Sequence, residues 1–111
     1  MVRNHVLVRT SISCSKAIEL MLSHGVRNII LLSKDDNLIG IVSMGDILRA
    51  RVRQPFNDVE LSVIANYNPV VGNAHMSNEE ILKIMKEYNI IVVPIVKDKK
   101  VIDVVEIFDC L

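Results

Sequence analysis

The sequence predicts an α/β (α+β) fold in which two pseudo-symmetric units, each strand–helix–strand–strand–helix, pack sheet to sheet. Three observations support this prediction. One set of helix and strand signals occurs twice, with Met21 and Met85 at corresponding places. The strand-like runs are nearly all Ile, Leu and Val without polar alternation, which is typical of strands covered on both faces. Each unit of this 111-residue chain is too small to bury its faces alone, so the two must share a core.

The first unit contains three predicted strands and two predicted helices. Ser13 is placed as a helix N-cap, and Gly25 tolerates the left-handed conformation that ends a helix. A closing helix is expected to start near Met44 and to continue through at least Arg53. The predicted strands are 6–9, 28–32 and 38–42, with a polar turn at 34–37.

The second unit repeats this order of elements. Ser77 and Glu80 have the spacing of a capping box, and Asn89 is a residue type that can end the helix in the left-handed conformation. Asp109 repeats Asp46 in the closing pattern. The predicted strands are 70–71, 91–96 and 101–105, with a polar turn at 98–100.

The predicted domain boundaries follow from the repeat. We assign the first unit, a linker and the second unit to residues 1–54, 55–67 and 68–111. A full helix is expected after Asp46, whereas only two residues follow Asp109. A last helix that stops as it begins leaves helix-end groups and apolar surface exposed, so we expect it to be truncated and the chain to be a fragment of a longer protein.

Composition argues against several classes of function. A formal net charge of 0 offers no broad basic surface for nucleic acid or an anionic membrane. No apolar run is long enough to span a bilayer, and the first residues lack a signal-peptide core, so we expect a cytoplasmic protein. Cys14 and Cys110 provide no disulfide framework, and the three histidines are not spaced as metal ligands.

Charge is distributed unevenly along the chain. Residues 1–55 carry eight basic side chains against four acidic ones. Residues 56–111 carry five lysines against nine acidic side chains. An anionic ligand is therefore expected to prefer the first half of the chain.

The segment Gly-Ile-Val-Ser-Met-Gly-Asp, from Gly40 to Asp46, follows the second strand of the first unit. Its pattern is a glycine, two apolar residues, Ser or Thr, two variable residues and Asp. Within a duplicated unit of this kind, this pattern resembles that of a pair of cystathionine-β-synthase (CBS) domains, also called a Bateman module. The resemblance covers residues from about 6 to 111. It implies no tightly bound cofactor, an adenosine nucleotide (AMP, ADP or ATP) as ligand between the units, a homodimer, and a linked catalytic domain.

The motif residues suit a sugar-phosphate ligand. Asp46 is expected near the N-terminus of the closing helix, where its carboxylate can accept two hydrogen bonds from a ribose diol. Ser43 directly precedes that helix, where its hydroxyl and free backbone N–H groups favour a phosphate oxygen. Gly40 lacks a Cβ atom, so a base or sugar can approach the strand closely. Ile41 and Arg27 complete the candidate set. The alternative is that Ser43 and Asp46 only cap the helix.

The second copy departs from the motif. Asp103 stands where the first copy has glycine, and Glu106 stands where it has serine. An ionised Glu106 would repel a nearby phosphate, although Asp109 could still hold a ribose. We therefore expect the second site to be empty or to take an uncharged nucleoside moiety.

Two arginines follow the motif on the closing helix. Arg49 and Arg53 are four residues apart and therefore share a helix face. A phosphate chain that leaves Ser43 could meet one of them bidentately. The alternative is a solvated helix end, because arginine is favoured near a helix C-terminus. Nucleic-acid binding by this segment is not expected, since no aromatic residue accompanies its arginines.

The leading hypothesis is a regulatory module that senses an adenosine nucleotide between the units and modulates a linked catalytic domain. The alternative is a ligand-free dimerisation or scaffold module, which Glu106 and the truncated end favour. A stand-alone enzyme would need a nucleophile or base that the sequence does not offer, so no catalytic residue is predicted. The segments 68–71 and 77–86 resemble CBS pairs that precede sugar-phosphate nucleotidyltransferase domains, which implies such a domain as the regulated partner.

Overall fold

A computed structural model of the protein describes residues 5–111. Contacts between Cα atoms divide these residues into two compact units, 5–69 and 70–111. Each unit has its own sheet and its own cluster of buried apolar side chains. The combination of two sheets with helices in both units confirms the predicted α/β class.

The first unit holds a three-stranded sheet of order β1-β2-β3. Its elements are β1 (Val6–Val8), α1 (Cys14–His24), β2 (Asn28–Leu32), β3 (Leu38–Ser43), α2 (Met44–Arg53) and α3 (Leu61–Ile64). Strand β1 pairs in parallel with β2, and β2 pairs with β3 as an antiparallel hairpin. A parallel neighbour needs a crossover connection, and α1 supplies it between β1 and β2.

Helix α1 begins and ends as predicted. The Ser13 side chain accepts a hydrogen bond from the backbone nitrogen of Lys16 at 3.2 Å, which satisfies one of the free N–H groups of the first turn. Gly25 has φ of +66°, and its N–H donates to the carbonyl of Met21. This left-handed residue ends the helix and lets the chain turn directly into β2.

The core of the first unit lies where α1, α2 and the sheet meet. Met21 from α1, Ile29 from β2, Val42 from β3 and Ile47 from α2 are all buried. Cys14 is buried with them, and burial raises the pKa of its thiol, with Asp58 adding to the effect. Cys14 therefore packs as a small neutral side chain.

Residues 55–67, for which the sequence predicts a linker, make backbone hydrogen bonds to the first unit. The nitrogen of Leu61 donates to the carbonyl of Ile12 at 2.8 Å. Asn66 and Ile41 exchange two backbone hydrogen bonds of 2.9 and 3.0 Å. The segment thus lies along the outer side of β3, and α3 faces α2 across a groove. The boundaries at 54 and 68 stay a prediction.

The second unit is built on one antiparallel hairpin. Its elements are α4 (Asn78–Tyr88), β4 (Val92–Lys97), β5 (Lys100–Glu106) and a 3₁₀ helix (Ile107–Cys110). Ser77 and Glu80 form the predicted capping box, and Asn89 ends α4 with φ of +55°. Ile81 and Met85 of α4 are buried against Val93 and Ile95 of β4.

The strand predicted at 70–71 is reduced to a single parallel bridge between Gly72 and Ile95. Gly72 donates to the carbonyl of Pro94 and accepts from the nitrogen of Val96, both at 2.9 Å. To extend this pairing by two residues, the carbonyl of Val70 would have to accept a hydrogen bond from the backbone nitrogen of Pro94. Proline has no N–H group to donate. The missing donor explains why the bridge does not extend into a strand.

None of the helices within residues 5–111 is long and apolar enough to cross a membrane.

Candidate functional site

The β2–β3 hairpin brings the candidate residues of the first copy to one end of the sheet. Asn28 pairs with Ser43, and Ile30 pairs with Ile41. The backbone nitrogen of Met44 donates to the carbonyl of Arg27 at 2.8 Å, so the start of α2 is attached to the start of β2. The Arg27 side chain is exposed, and Ile41 is half-buried. Arg27, Ile41 and Ser43 therefore lie together at this end of the hairpin.

Ser43 and Asp46 form a complete capping box at the start of α2. The Ser43 Oγ atom accepts from the backbone nitrogen of Asp46 at 3.1 Å. The Asp46 Oδ2 atom accepts from the backbone nitrogen of Ser43 at 2.9 Å. Two N–H groups at the start of the helix are thereby satisfied. Both residues therefore have a structural role as helix caps, the alternative to ligand binding that their sequence positions leave open.

Asp46 makes a third contact, with Arg49 one turn further along α2. The Arg49 Nη2 atom donates to Asp46 Oδ1 at 2.7 Å, and the two side chains are 62% and 30% exposed. Partial burial works against the ionised carboxylate, but the hydrogen bonds from Ser43 and the Arg49 guanidinium outweigh it and lower the pKa of Asp46. Asp46 is therefore an anion at neutral pH.

A groove of about 310 Å³ runs between α2 and α3 beside this carboxylate. One wall is polar and charged, with Asp46, Arg49, Arg53 and Gln54 from α2 and its C-terminus. The other wall is apolar and is formed by Val59, Val63 and Ile64, while Ala50 also lines the groove. A groove with an apolar wall and a few charged groups on the opposite wall has the character of a small-molecule site.

Gly40 lies directly beside residues 66 and 67, which run along the outer side of β3. A Cβ atom at Gly40 would stand 2.8 Å from the backbone oxygen of Asn66 and 3.5 Å from the ring of Tyr67. The space that glycine leaves open is thus occupied by protein backbone. Glycine at this position serves the packing of residues 66 and 67 against β3, and its contact with a ligand stays a prediction.

The second copy keeps the aspartate geometry without the serine. The Asp109 Oδ2 atom accepts from the backbone nitrogen of Glu106 at 2.9 Å, the same distance that separates Asp46 Oδ2 from the nitrogen of Ser43. Asp103 turns its carboxylate to the next backbone nitrogen, that of Val104, at 2.8 Å. The candidate Asp109 belongs to the second unit, and Glu106 brings a second carboxylate to its 3₁₀ helix in place of a hydroxyl.

A smaller cavity of about 110 Å³ in the first unit was not predicted from the sequence. Val8, Leu32 and Ile39 supply apolar walls, and Thr10 and Tyr67 supply hydroxyl groups. The Tyr67 hydroxyl donates to the carbonyl of Ser62. Residues far apart in the sequence form this cavity, so no local motif could have indicated it.

Among residues 5–111, no group of three or more His, Cys, Asp or Glu side chains is arranged to hold a metal ion.

Two CBS repeats define the class of this protein. The family model of the CBS domain matches residues 1–53 and 60–111, and the chain belongs to this family. A curated relative, an uncharacterized protein of Rickettsia prowazekii, is 31% identical over 105 residues. This match covers 95% of the chain, which spans about a third (33%) of the relative's length.

Solved structures of CBS pairs share the fold. The CBS domain pair of protein MJ0100, in complex with 5′-methylthioadenosine and S-adenosyl-L-methionine, matches with a TM-score of 0.82 and 22% identity over 95% of this chain and 83% of that one. A CBS domain protein of Pyrobaculum aerophilum complexed with AMP matches with a TM-score of 0.84 and 24% identity over 98% and 85% of the two chains.

Proposed function

We propose that the first unit of this CBS pair binds an adenosine nucleotide through Ser43 and Asp46 and that binding regulates a domain linked to the pair. The observation that carries this proposal is an ionised, partly exposed carboxylate, Asp46, beside the groove of about 310 Å³ between α2 and α3. The AMP complex of the Pyrobaculum aerophilum protein and the 5′-methylthioadenosine and S-adenosyl-L-methionine complex of MJ0100 support an adenosine compound as the class of ligand.

The capping contacts of Asp46 are compatible with ribose binding. Each carboxylate oxygen has two acceptor positions, and each has one protein donor, Ser43 on Oδ2 and Arg49 on Oδ1. One hydroxyl group of a ribose can therefore take the open position on Oδ2, while the other reaches Oδ1 in competition with the Arg49 guanidinium, which lies against that oxygen at 2.7 Å. The box fixes the carboxylate in place before the ligand arrives, which reduces the entropy lost on binding.

Ser43 can contribute in the same way. Its Oγ atom accepts from the nitrogen of Asp46, so the hydroxyl hydrogen is available for a phosphate oxygen. The N-terminus of the ten-residue helix α2 adds the positive end of its dipole at this point. A nucleotide with its ribose on Asp46 would place its first phosphate near Ser43.

Calorimetric titration tests this function. AMP, ADP and ATP are each added to the wild-type chain and to Asp46→Asn, with Asp109→Asn as the matched control in the second unit. We expect Asp46→Asn to weaken binding by about tenfold or more, because it removes a charged acceptor. Asp109→Asn is expected to leave the affinity within about twofold, because Glu106 places a second carboxylate beside that position. Absence of heat at millimolar nucleotide from folded wild-type protein would exclude the proposal.

The regulated domain is also a proposal. The chain spans a third of its curated relative, and its resemblance to CBS pairs that precede nucleotidyltransferase domains suggests one as the linked partner. A change of its activity on adding AMP to the full-length parent protein, abolished by Asp46→Asn, is the expected result.

A ligand-free association module is the second candidate. Three apolar side chains are exposed, Leu48 in the middle of α2 by 54%, Val52 near its C-terminus by 81% and Phe56 just beyond it by 99%. Leu48 and Val52 are one turn apart and share a face, so a second copy of the chain could cover them. Light scattering separates the two functions: this candidate predicts a dimer whose mass does not respond to nucleotide and which Val52→Glu dissociates.

A further inference from the structure

The guanidinium of Arg49 lies over the first turn of α2, inside the cluster that the proposed function assigns to the ribose and phosphate. Its Nη2 atom donates to Asp46 Oδ1 at 2.7 Å. A Cβ atom built on Gly45 would stand 3.4 Å from Arg49 Nη1 and 3.6 Å from Ser43 Oγ. The guanidinium and the serine hydroxyl therefore both lie beside Gly45, the one residue of the turn that lacks a side chain, and the Asp46 carboxylate contacts the guanidinium.

Asp46 is the anionic partner that holds Arg49 in this place. The positive end of the α2 dipole disfavours a cation at the helix N-terminus. The Arg49 side chain is 62% exposed, and exposed ion pairs contribute little to stability. A competing partner for either Asp46 or Arg49 would therefore break this pair at small cost.

We propose that Arg49 is a phosphate-selecting residue that occupies the site until a phosphorylated nucleoside replaces it. This inference rests on the proposed function and assigns its specificity. A ribose diol on Asp46 competes with the guanidinium for Oδ1. A phosphate near Ser43 then offers Arg49 a new anionic partner in bidentate geometry, so the ion pair is exchanged rather than lost.

The exchange distinguishes three classes of adenosine ligand. AMP provides both the diol and the anion. Adenosine provides only the diol and must displace Arg49 without giving it a new partner. An adenosyl sulfonium compound brings a positive charge toward the guanidinium, and like charges repel. The wild-type site is therefore expected to prefer AMP to adenosine and adenosine to S-adenosyl-L-methionine.

The test compares AMP with adenosine on Arg49→Ala, with Arg51→Ala as the matched control. Arg51 lies on the same helix but does not line the groove. Arg49→Ala is expected to weaken AMP binding by about fivefold or more, because the phosphate loses its bidentate partner. The same variant is expected to strengthen adenosine binding by about twofold or more, because the ribose no longer competes with the guanidinium for Asp46. Arg51→Ala is expected to leave the ratio of the two dissociation constants unchanged. Arg49→Lys, which keeps the charge without the bidentate fork, is expected to restore part of the preference for AMP.

Each outcome decides between the two proposals. Opposite changes for the two ligands on Arg49→Ala support the exchange. Equal changes for both ligands, or none, overturn it while leaving adenosine binding in place. Absence of binding of both compounds to folded wild-type protein overturns the proposed function and this inference together. Circular dichroism of each variant confirms that α2 is retained, so a loss of binding cannot be ascribed to unfolding.

Discussion

Gly40 and Asn66 are in contact through their backbones, and a Cβ atom at Gly40 would lie 2.8 Å from the Asn66 oxygen. Two backbone hydrogen bonds between Ile41 and Asn66 hold the two segments at this separation. The atom in the way is a carbonyl of the main chain, which cannot move aside as a side-chain end can. The close packing of residues 66 and 67 along β3 therefore depends on glycine at position 40.

Gly40→Ala is expected to lower the free energy of unfolding by about 1–3 kcal/mol, as overpacking does in other cores. Chemical denaturation measures this change. Gly45→Ala is the control, because its nearest neighbour is the movable end of the Arg49 side chain at 3.4 Å and alanine favours a helix. Equal stability of Gly40→Ala and the wild type would show that residues 66 and 67 can leave β3 freely.

Ile47 and Leu48 are sequence neighbours with opposite environments. Ile47 is 0% exposed in the first core, and Leu48 is 54% exposed. Ile47→Ala is expected to lower the free energy of unfolding by about 2–5 kcal/mol, because a cavity replaces buried side-chain atoms. Leu48→Ala is expected to change it by less than about 0.5 kcal/mol in a monomeric chain. A large effect at Leu48 that grows with protein concentration would instead favour the association module.

Asn89 ends α4 at φ of +55°, where most L residues are strained. Asn89→Ala is expected to lower the free energy of unfolding by about 1 kcal/mol, whereas Asn89→Gly is expected to change it by only about a few tenths of a kcal/mol. Thermal denaturation of the two variants in parallel gives the comparison. A result in which alanine is tolerated as well as glycine would mean that α4 ends differently in solution.

The lowered pKa of Asp46 predicts a dependence of stability on pH. A carboxylate whose pKa is below the ordinary aspartate value of 3.8 in the folded chain stabilises the fold fully above that value. This stabilisation is lost as the pH falls through the folded pKa. Asp46→Asn is therefore expected to be less stable than the wild type at pH 7, and the difference should shrink below about pH 4.

Urea denaturation of both proteins at a series of pH values measures this difference. The control is internal, because the two curves are expected to converge in acid once the wild-type carboxylate is protonated. If the difference in the free energy of unfolding stayed constant from pH 7 into acid, the effect of Asp46→Asn would not come from the loss of the carboxylate's charge.

Local signals predicted the helix ends well. Ser13, Gly25, Ser77 and Asn89 all cap helices as expected, because a cap depends on residues within one turn of it. The repeat itself was visible for the same reason, since each copy carries its own turns and strands.

Contacts between distant segments were not predictable in the same way. The close approach of Asn66 to Gly40 depends on the path of residues 55–67, which no local pattern specifies. The reduction of the strand at 70–71 to a bridge depends on which edge of β4 the missing N–H of Pro94 faces. Arg49 was expected to share a face with Arg53, and its turn back toward Asp46 became visible only in three dimensions.

Asp46 and Asp109 each accept a backbone hydrogen bond at 2.9 Å from the residue three positions earlier, although only one of them has a serine beside it. Capping of the helix is thus a sufficient structural reason for an acidic residue at this position, whether or not a nucleotide binds there. Invariance of this aspartate among homologous repeats is consequently poor grounds for counting binding sites. Under the proposed function, the serine and the arginine one turn later are the positions whose variation distinguishes repeats that bind a nucleotide from repeats that only cap a helix.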